Sequence, residues 1–199
     1  PLDVFHHAKQ FYFRGQHDDG GWHYQFKPHS YGSMTAAGLA SLYIISDFIE
    51  PASGCPCSGG RSQSSTMDIE RRIDAALAWV SKNYVGSENP LSTDQPGAGR
   101  TLYWLYCVER VGIAAGYKYF GKNNWYKDGA RYLLSRQGGD GSWADTDDES
   151  GGGRVPDTCF ALQFLYKGRA PILFNKLRFN GTWNAHRRAG TVGVSDRSQ

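Results

Sequence analysis

The sequence predicts an all-α fold, an αα-toroid or partial toroid of about three helical hairpins, followed by a short C-terminal hairpin or irregular tail. Three observations lead there. The pattern Gln-x-x-Asp-Gly-x-Trp occurs twice, at Gln16–Trp22 and at Gln137–Trp143, each time between helical patterns. Amphipathic segments alternate with segments that are apolar nearly all round. The latter share a threonine near their start, in Met34-Thr35-Ala36, Arg100-Thr101-Leu102 and Asp157-Thr158-Cys159. These threonines mark units of about 57 to 66 residues, and recurrence of a motif in one setting marks a repeat protein. Outer amphipathic helices around inner apolar ones describe a solenoid or a ring.

The corners have a physical logic. Gly20 and Gly141 allow tight reversals closed to other residues. Trp22 and Trp143 supply large plates to bury between helices, and Gln16 and Gln137 can bond to open backbone groups.

In chain order, Leu2–Phe13 reads as a helix with Val4, Ala8 and Phe11 on one face, widened by Phe5 and Tyr12. After the first corner, Ser33 can cap a helix to about Phe48 that is small on one side and bulky on the other. Pro51–Ser65 is rich in Gly, Ser and Pro and reads as a mobile loop. Thr66 can cap a third helix, whose Ile69, Ile73, Ala76, Leu77, Val80 and Tyr84 form an amphipathic stripe. Residues 86–99 form a second loop where a glycine-tryptophan corner would be expected. Arg100–Val111 is an apolar inner helix in which Glu109 reads as a buried carboxylate paired with an arginine.

Gly112–Asn124 connects to a fifth helix, Trp125–Arg136, capped by Asn123 or Asn124, with Tyr126, Ala130, Leu133 and Leu134 as its buried stripe. Pro156 and Asp157 start a sixth, inner helix containing Phe160, Ala161, Leu162, Phe164, Leu165 and Tyr166. Asn180-Gly181 is the strongest turn signal in the tail, suggesting a hairpin over Phe174–Trp183. The repeat domain is thus expected over residues 1–170, and an extension or linker over 171–199.

Composition narrows the function classes. The net charge is +3 and the basic residues are scattered, which gives no case for a nucleic-acid surface. No apolar run approaches the roughly 20 residues that span a bilayer. The sequence opens almost directly into a helix without an initiator Met, so it reads as a piece of a longer protein. Cys107 and Cys159 sit among apolar helical neighbours and read as buried thiols, while the Cys55-Pro56-Cys57 spacing suits neither a mutual disulfide nor a zinc knuckle.

The two corners, each followed by a Thr-bearing inner helix, resemble the prenyltransferase and squalene-cyclase repeat over roughly residues 2–168. Tyr103–Arg110, Trp125-Tyr126, Gly129 and Tyr132-Leu133-Leu134, with Gly168–Pro171 and Asn175-Lys176-Leu177, are similar to a bacterial subgroup of that αα-toroid family. In that subgroup the repeat forms part of large, poorly characterised proteins. The resemblance implies a terpenoid-cyclase-like fold and an arc of the full ring. It also indicates where chemistry would sit. Terpene cyclases place an Asp-x-Asp-Asp acid before an inner helix. Here the matching position reads Arg154-Val155-Pro156-Asp157, leaving Asp157 as the one weak catalytic candidate. Asp145-Thr146-Asp147-Asp148 has the right letters in a glycine-rich loop and reads as a solvated acidic loop or an adventitious cation site. Prenyltransferases hold zinc on an Asp-x-Cys pair and a distant His. Asp157 and Cys159 match the pair, no His is placed to complete it, and the preferred reading is a cap and a thiol with no cofactor.

The expectation is therefore a non-catalytic repeat domain that binds a partner protein, the remainder of a larger parent chain, or an apolar, isoprenoid-like ligand. Tyr103, Trp104, Tyr106, Phe160 and Phe164 of the inner helices are its expected binding surface. The alternative is an isoprenoid-processing enzyme, either a terpene cyclase or a zinc-dependent prenyltransferase.

Overall fold

A computed structural model describes residues 2–25, 29–49, 63–92, 99–145 and 153–167. Among the described residues the chain is mostly helical. Six helices run in order: α1 (Leu2–Gly15), α2 (Gly32–Ile49), α3 (Gln63–Asn83), α4 (Thr101–Ala115), α5 (Trp125–Arg136) and α6 (Arg154–Lys167). A two-residue antiparallel ladder, β1 (Tyr119–Phe120) with β2 (Asn123–Asn124), leads into α5. This ladder lies in the stretch expected to be a connector, Gly112–Asn124. Gly121, at φ +59°, makes its turn and lies so close to the Ser81 carbonyl that a Cβ would collide with it.

α4 packs between α2 and α6, while α1 and α3 flank α2 and α5 packs on α4 and α6. The inner character of α2 and α4 is plain. Ala36, Leu39, Leu42, Leu102, Trp104, Leu105 and Val108 are all essentially inaccessible. α2 is long and apolar enough to pass the length and composition test for a short membrane span, yet half of it is buried in this molecule, as in a core helix. The stripe of α3 is buried at every expected position, from Ile69 to Tyr84. Burying one such aliphatic side chain contributes about 1.5–3 kcal/mol, so this stripe is a main source of cohesion.

Several details depart from the sequence reading. On α1 the packed face is Phe5, Ala8, Tyr12 and Phe13, whereas Val4 and Phe11 are exposed. Leu134 of α5 is 69% exposed, because the buried face turns through Trp125, Gly129 and Leu133. α6 begins two residues before Pro156 and buries only Ala161 and Phe164, leaving Leu162 and Tyr166 exposed. Cys159 is exposed rather than buried, and Cys107 is buried as expected. Ser33 lies inside α2 and does not cap it. Asn124 does cap α5, accepting from the Lys127 N–H at 3.0 Å. The expected loop over 51–65 falls outside the described residues apart from 63–65, which are helical, and the expected tail hairpin falls outside them altogether.

Candidate functional site

The two glycine-tryptophan corners tie the starts of α2 and α6 to the helices before them. In the first, the Trp22 N–H donates to Thr35 Oγ1 at 3.1 Å, and its indole N–H donates to the Tyr12 carbonyl at 2.9 Å. In the second, the Trp143 N–H donates to Thr158 Oγ1 at 3.0 Å, and its indole N–H donates to the Leu133 carbonyl at 2.8 Å. Each tryptophan thus joins the last turn of one helix to the threonine of the next. This explains the recurrent threonine, which the sequence shows only as a marker. Each glutamine closes its own reversal, Gln16 onto the Gly20 carbonyl and Gln137 onto the Gly141 carbonyl.

The N-termini of α2 and α4 are capped from later in the chain. The Ser33 N–H donates to Asn89 Oδ1 at 2.8 Å, and the Leu102 N–H donates to Asp145 Oδ2 at 2.8 Å. Helix ends expose such donors, and a capping side chain is worth about 1 kcal/mol. Asp145 is linked onward, because its own N–H donates to Asp157 Oδ2 at 2.9 Å. Asp145 is therefore not the solvated loop residue expected from the sequence. Burial pushes its carboxyl up to about 7, and the nearby Asp157 adds to this, against the pull of the Leu102 N–H, Arg100 and Arg136. Residues 146–148 lie outside the described residues.

The five expected binding residues divide. Trp104 and Phe164 are fully buried. The Trp104 indole donates to the Val85 carbonyl at 2.8 Å, and Phe164 stacks on Tyr126 and meets the edge of Trp125. Tyr103, Tyr106 and Phe160 are half-buried and gather into one aromatic group across α4 and α6. Their centroids lie 6.3 Å apart for Tyr103–Tyr106, 5.4 Å for Tyr103–Phe160 and 5.1 Å for Tyr106–Phe160. The Arg110 guanidinium lies 4.9 Å over Tyr106 and donates to Gln163 Oε1 at 2.9 Å. Arg110 also pairs with Glu109, 3.2 Å away and wholly inaccessible, the partnership expected for that buried acid. Burial raises the Tyr103 phenol and pushes the neighbouring Cys107 thiol up to about 12, so both stay neutral at physiological pH.

Sequence reasoning did not find Asp145 or Arg110. The hints for Asp145 were the Asp-x-Asp-Asp letters it opens and its place two residues after Trp143. For Arg110 the hint was the four-residue step from Tyr106, which puts both on one helix face. Asp157 serves the Asp145 N–H, and no group of three His, Cys, Asp or Glu side chains able to hold a metal occurs among the described residues. No family model, no curated protein and no solved structure matches this chain.

Proposed function

We propose that this chain is a non-catalytic helical-repeat domain of the squalene-cyclase and prenyltransferase type, an arc of an αα-toroid, binding a partner protein or an apolar, isoprenoid-like ligand. The Tyr103–Tyr106–Phe160 surface supports this reading. Three aromatic rings from two helices are held together and partly open to solvent, with a guanidinium at their margin. Aromatic side chains with a neighbouring arginine are the residue types that dominate binding surfaces. Asp145 and Asp157 meanwhile satisfy backbone donors. In the test, the protein is incubated with squalene, farnesyl diphosphate or geranylgeranyl diphosphate and assayed by mass spectrometry, and farnesol is titrated against intrinsic fluorescence. The reading expects no product, and any farnesol response should weaken in Tyr106→Ala and Phe160→Ala. Product formation that vanishes in Asp145→Asn or Asp157→Asn would overturn it.

One observation favours the enzyme as a second reading. A cyclase acid must be protonated at neutral pH to attack an alkene, and Asp145, with its carboxyl pushed up to about 7, keeps a large protonated fraction there. That reading requires the proton of Asp145 to reach a bound substrate, which the same product assay addresses.

A further inference from the structure

The connection between α4 and α5 gathers positive charge. Residues 110–127 contain four basic side chains and no acid. Tyr119 pairs with Asn124 and Phe120 with Asn123, so Lys118 precedes the ladder and Lys122 sits in its turn. Gly121 brings that turn against the Ser81 carbonyl, next to Lys82 at the end of α3. On the other side Asn124 caps α5 by accepting from the Lys127 N–H, which fixes Lys127 in the first turn of that helix. Lys118 Nζ lies 5.4 Å over the Tyr119 ring, and Tyr119 is itself 40% exposed.

All four lysines are exposed, and none forms an ion pair among the described residues. Their placement gains the fold little. Like charges brought together repel, and Lys127 stands at the positive end of the α5 dipole, where a cation is unfavourable. Two acids stand near. Asp128 pairs with Arg131 at 3.5 Å, and Glu88 lies two residues past the Gly86 that meets Asp128. Residues 168–199 carry six basic residues against one acid, so by charge they are no partner for this surface.

We infer that the Lys82–Lys118–Tyr119–Lys122–Lys127 surface docks peripherally on an anionic phospholipid bilayer. Charge complementarity asks for an anionic occupant, and the residue types favour this one. Lysine fills every basic position. Ammonium groups on flexible stems act as separate point charges, whereas the guanidinium fork suits fixed two-point recognition of a carboxylate or phosphate. Separate charges suit a field of many mobile head groups. A tyrosine with an apolar ring and a polar tip suits the boundary between head groups and acyl chains. The surface shares no residue with the Tyr103–Tyr106–Phe160 group, and the two readings stand or fall separately.

Vesicle sedimentation of the 199-residue protein tests this. The probes are vesicles of phosphatidylcholine alone and of phosphatidylcholine with about one-third phosphatidylserine. Binding to the mixed vesicles is expected to be at least about tenfold stronger at about 0.1 M salt, and to collapse at about 0.5 M. Each lysine near such a surface contributes a factor of about five, so Lys118→Glu with Lys122→Glu should weaken binding by more than about twentyfold. Both side chains are exposed, so the thermal melt should not move. Arg187→Glu with Arg188→Glu reverses the same charge within residues 168–199 and should cost much less. Tyr119→Thr keeps a strand-forming residue and should weaken binding severalfold. Equal binding to the two kinds of vesicle, or equal losses from the two charge-reversed variants, would overturn the inference. So would a poly-glutamate or duplex DNA competitor that strips the protein from the vesicles at equal anionic charge, which would make an acidic macromolecule the occupant.

Discussion

The two glycine-tryptophan corners share one local code and differ in what surrounds them. In both, a glutamine closes the reversal, a glycine takes positive φ (+89° at Gly20, +84° at Gly141), an indole bonds to the preceding helix and a threonine receives the tryptophan N–H. The first corner also has α3 pressed on it, burying Gly20 and bringing the Trp79 indole to Asp19, which accepts from Ser30 as well. In the second, Gln137, Asp140 and Gly141 are exposed and only Trp143 is buried among the motif's residues. The shape of the turn is thus set by its own residues, and its contribution to cohesion depends on the next helix.

The largest expected effect compares the two glycines. Both need a backbone conformation that costs an L-residue about 1–2 kcal/mol. Gly20→Ala adds a collision with the Ala75 backbone, and overpacking of that kind costs a further ~1–3 kcal/mol, to a total of about 2–5 kcal/mol. Gly141→Ala meets no such obstacle among the described residues and should cost only the backbone strain, about 1–2 kcal/mol. Urea unfolding of both variants checks this. Equal losses would mean that α3 yields readily and that the first corner is no tighter than the second.

A second comparison concerns the arginines. Arg72→Ala removes two hydrogen bonds and the contact with Phe13, and should cost about 2 kcal/mol. Arg154→Ala removes an exposed ion pair with Asp140 and should change stability by less than about 0.5 kcal/mol. A loss at Arg154 matching that at Arg72 would show the second corner to be supported in a way its exposure does not suggest.

The corners were legible in the sequence because their code is local. Glycine, tryptophan and threonine meet within some fifteen residues, and the turn chemistry follows from residue type. The stripe of α3 was legible for a similar reason, since its periodicity is clean and both ends of the stripe are covered. What failed was long-range. Leu134 and Leu162 are apolar at helical spacing and so read as core, yet they lie where no described element covers them. Val4 and Phe11 fall on the open side of α1, because Phe5, Tyr12 and Phe13 widen its apolar stripe enough for the helix to rotate. Of the five aromatic residues chosen for a binding face, the pattern could not say that Trp104 and Phe164 turn inward, because a helix that is apolar all round does not reveal which side faces out.

Asp145 escaped for a different reason, and it gives the smallest expected contrast between the two proteins compared. Its letters belong to an acidic, glycine-rich run, and only the fold brings it to the Leu102 N–H, 43 residues away in the chain. The middle unit has the uncharged Asn89 bonding to Ser33 where the last has Asp145 bonding to Leu102, so the two caps differ in how they answer to pH. The Asp145 carboxyl sits near 7 in the folded protein and close to 4 when unfolded. Between those values the folded state holds a proton that the unfolded state has released, so stability falls as pH rises from about 4 through about 7. Asp145→Asn keeps an acceptor for Leu102 and removes the titration. The variant should match the parent near pH 4 and exceed it by about 1 kcal/mol near pH 8, the value being kept small because the carboxyl is partly solvated. Urea titrations at several pH values follow the difference between the two proteins, so titration elsewhere in the chain cancels. A constant difference would place the proton on another group. A parent that gains stability relative to the variant as pH rises would mean that the bond from Leu102 outweighs burial, making the charged cap the stronger of the two.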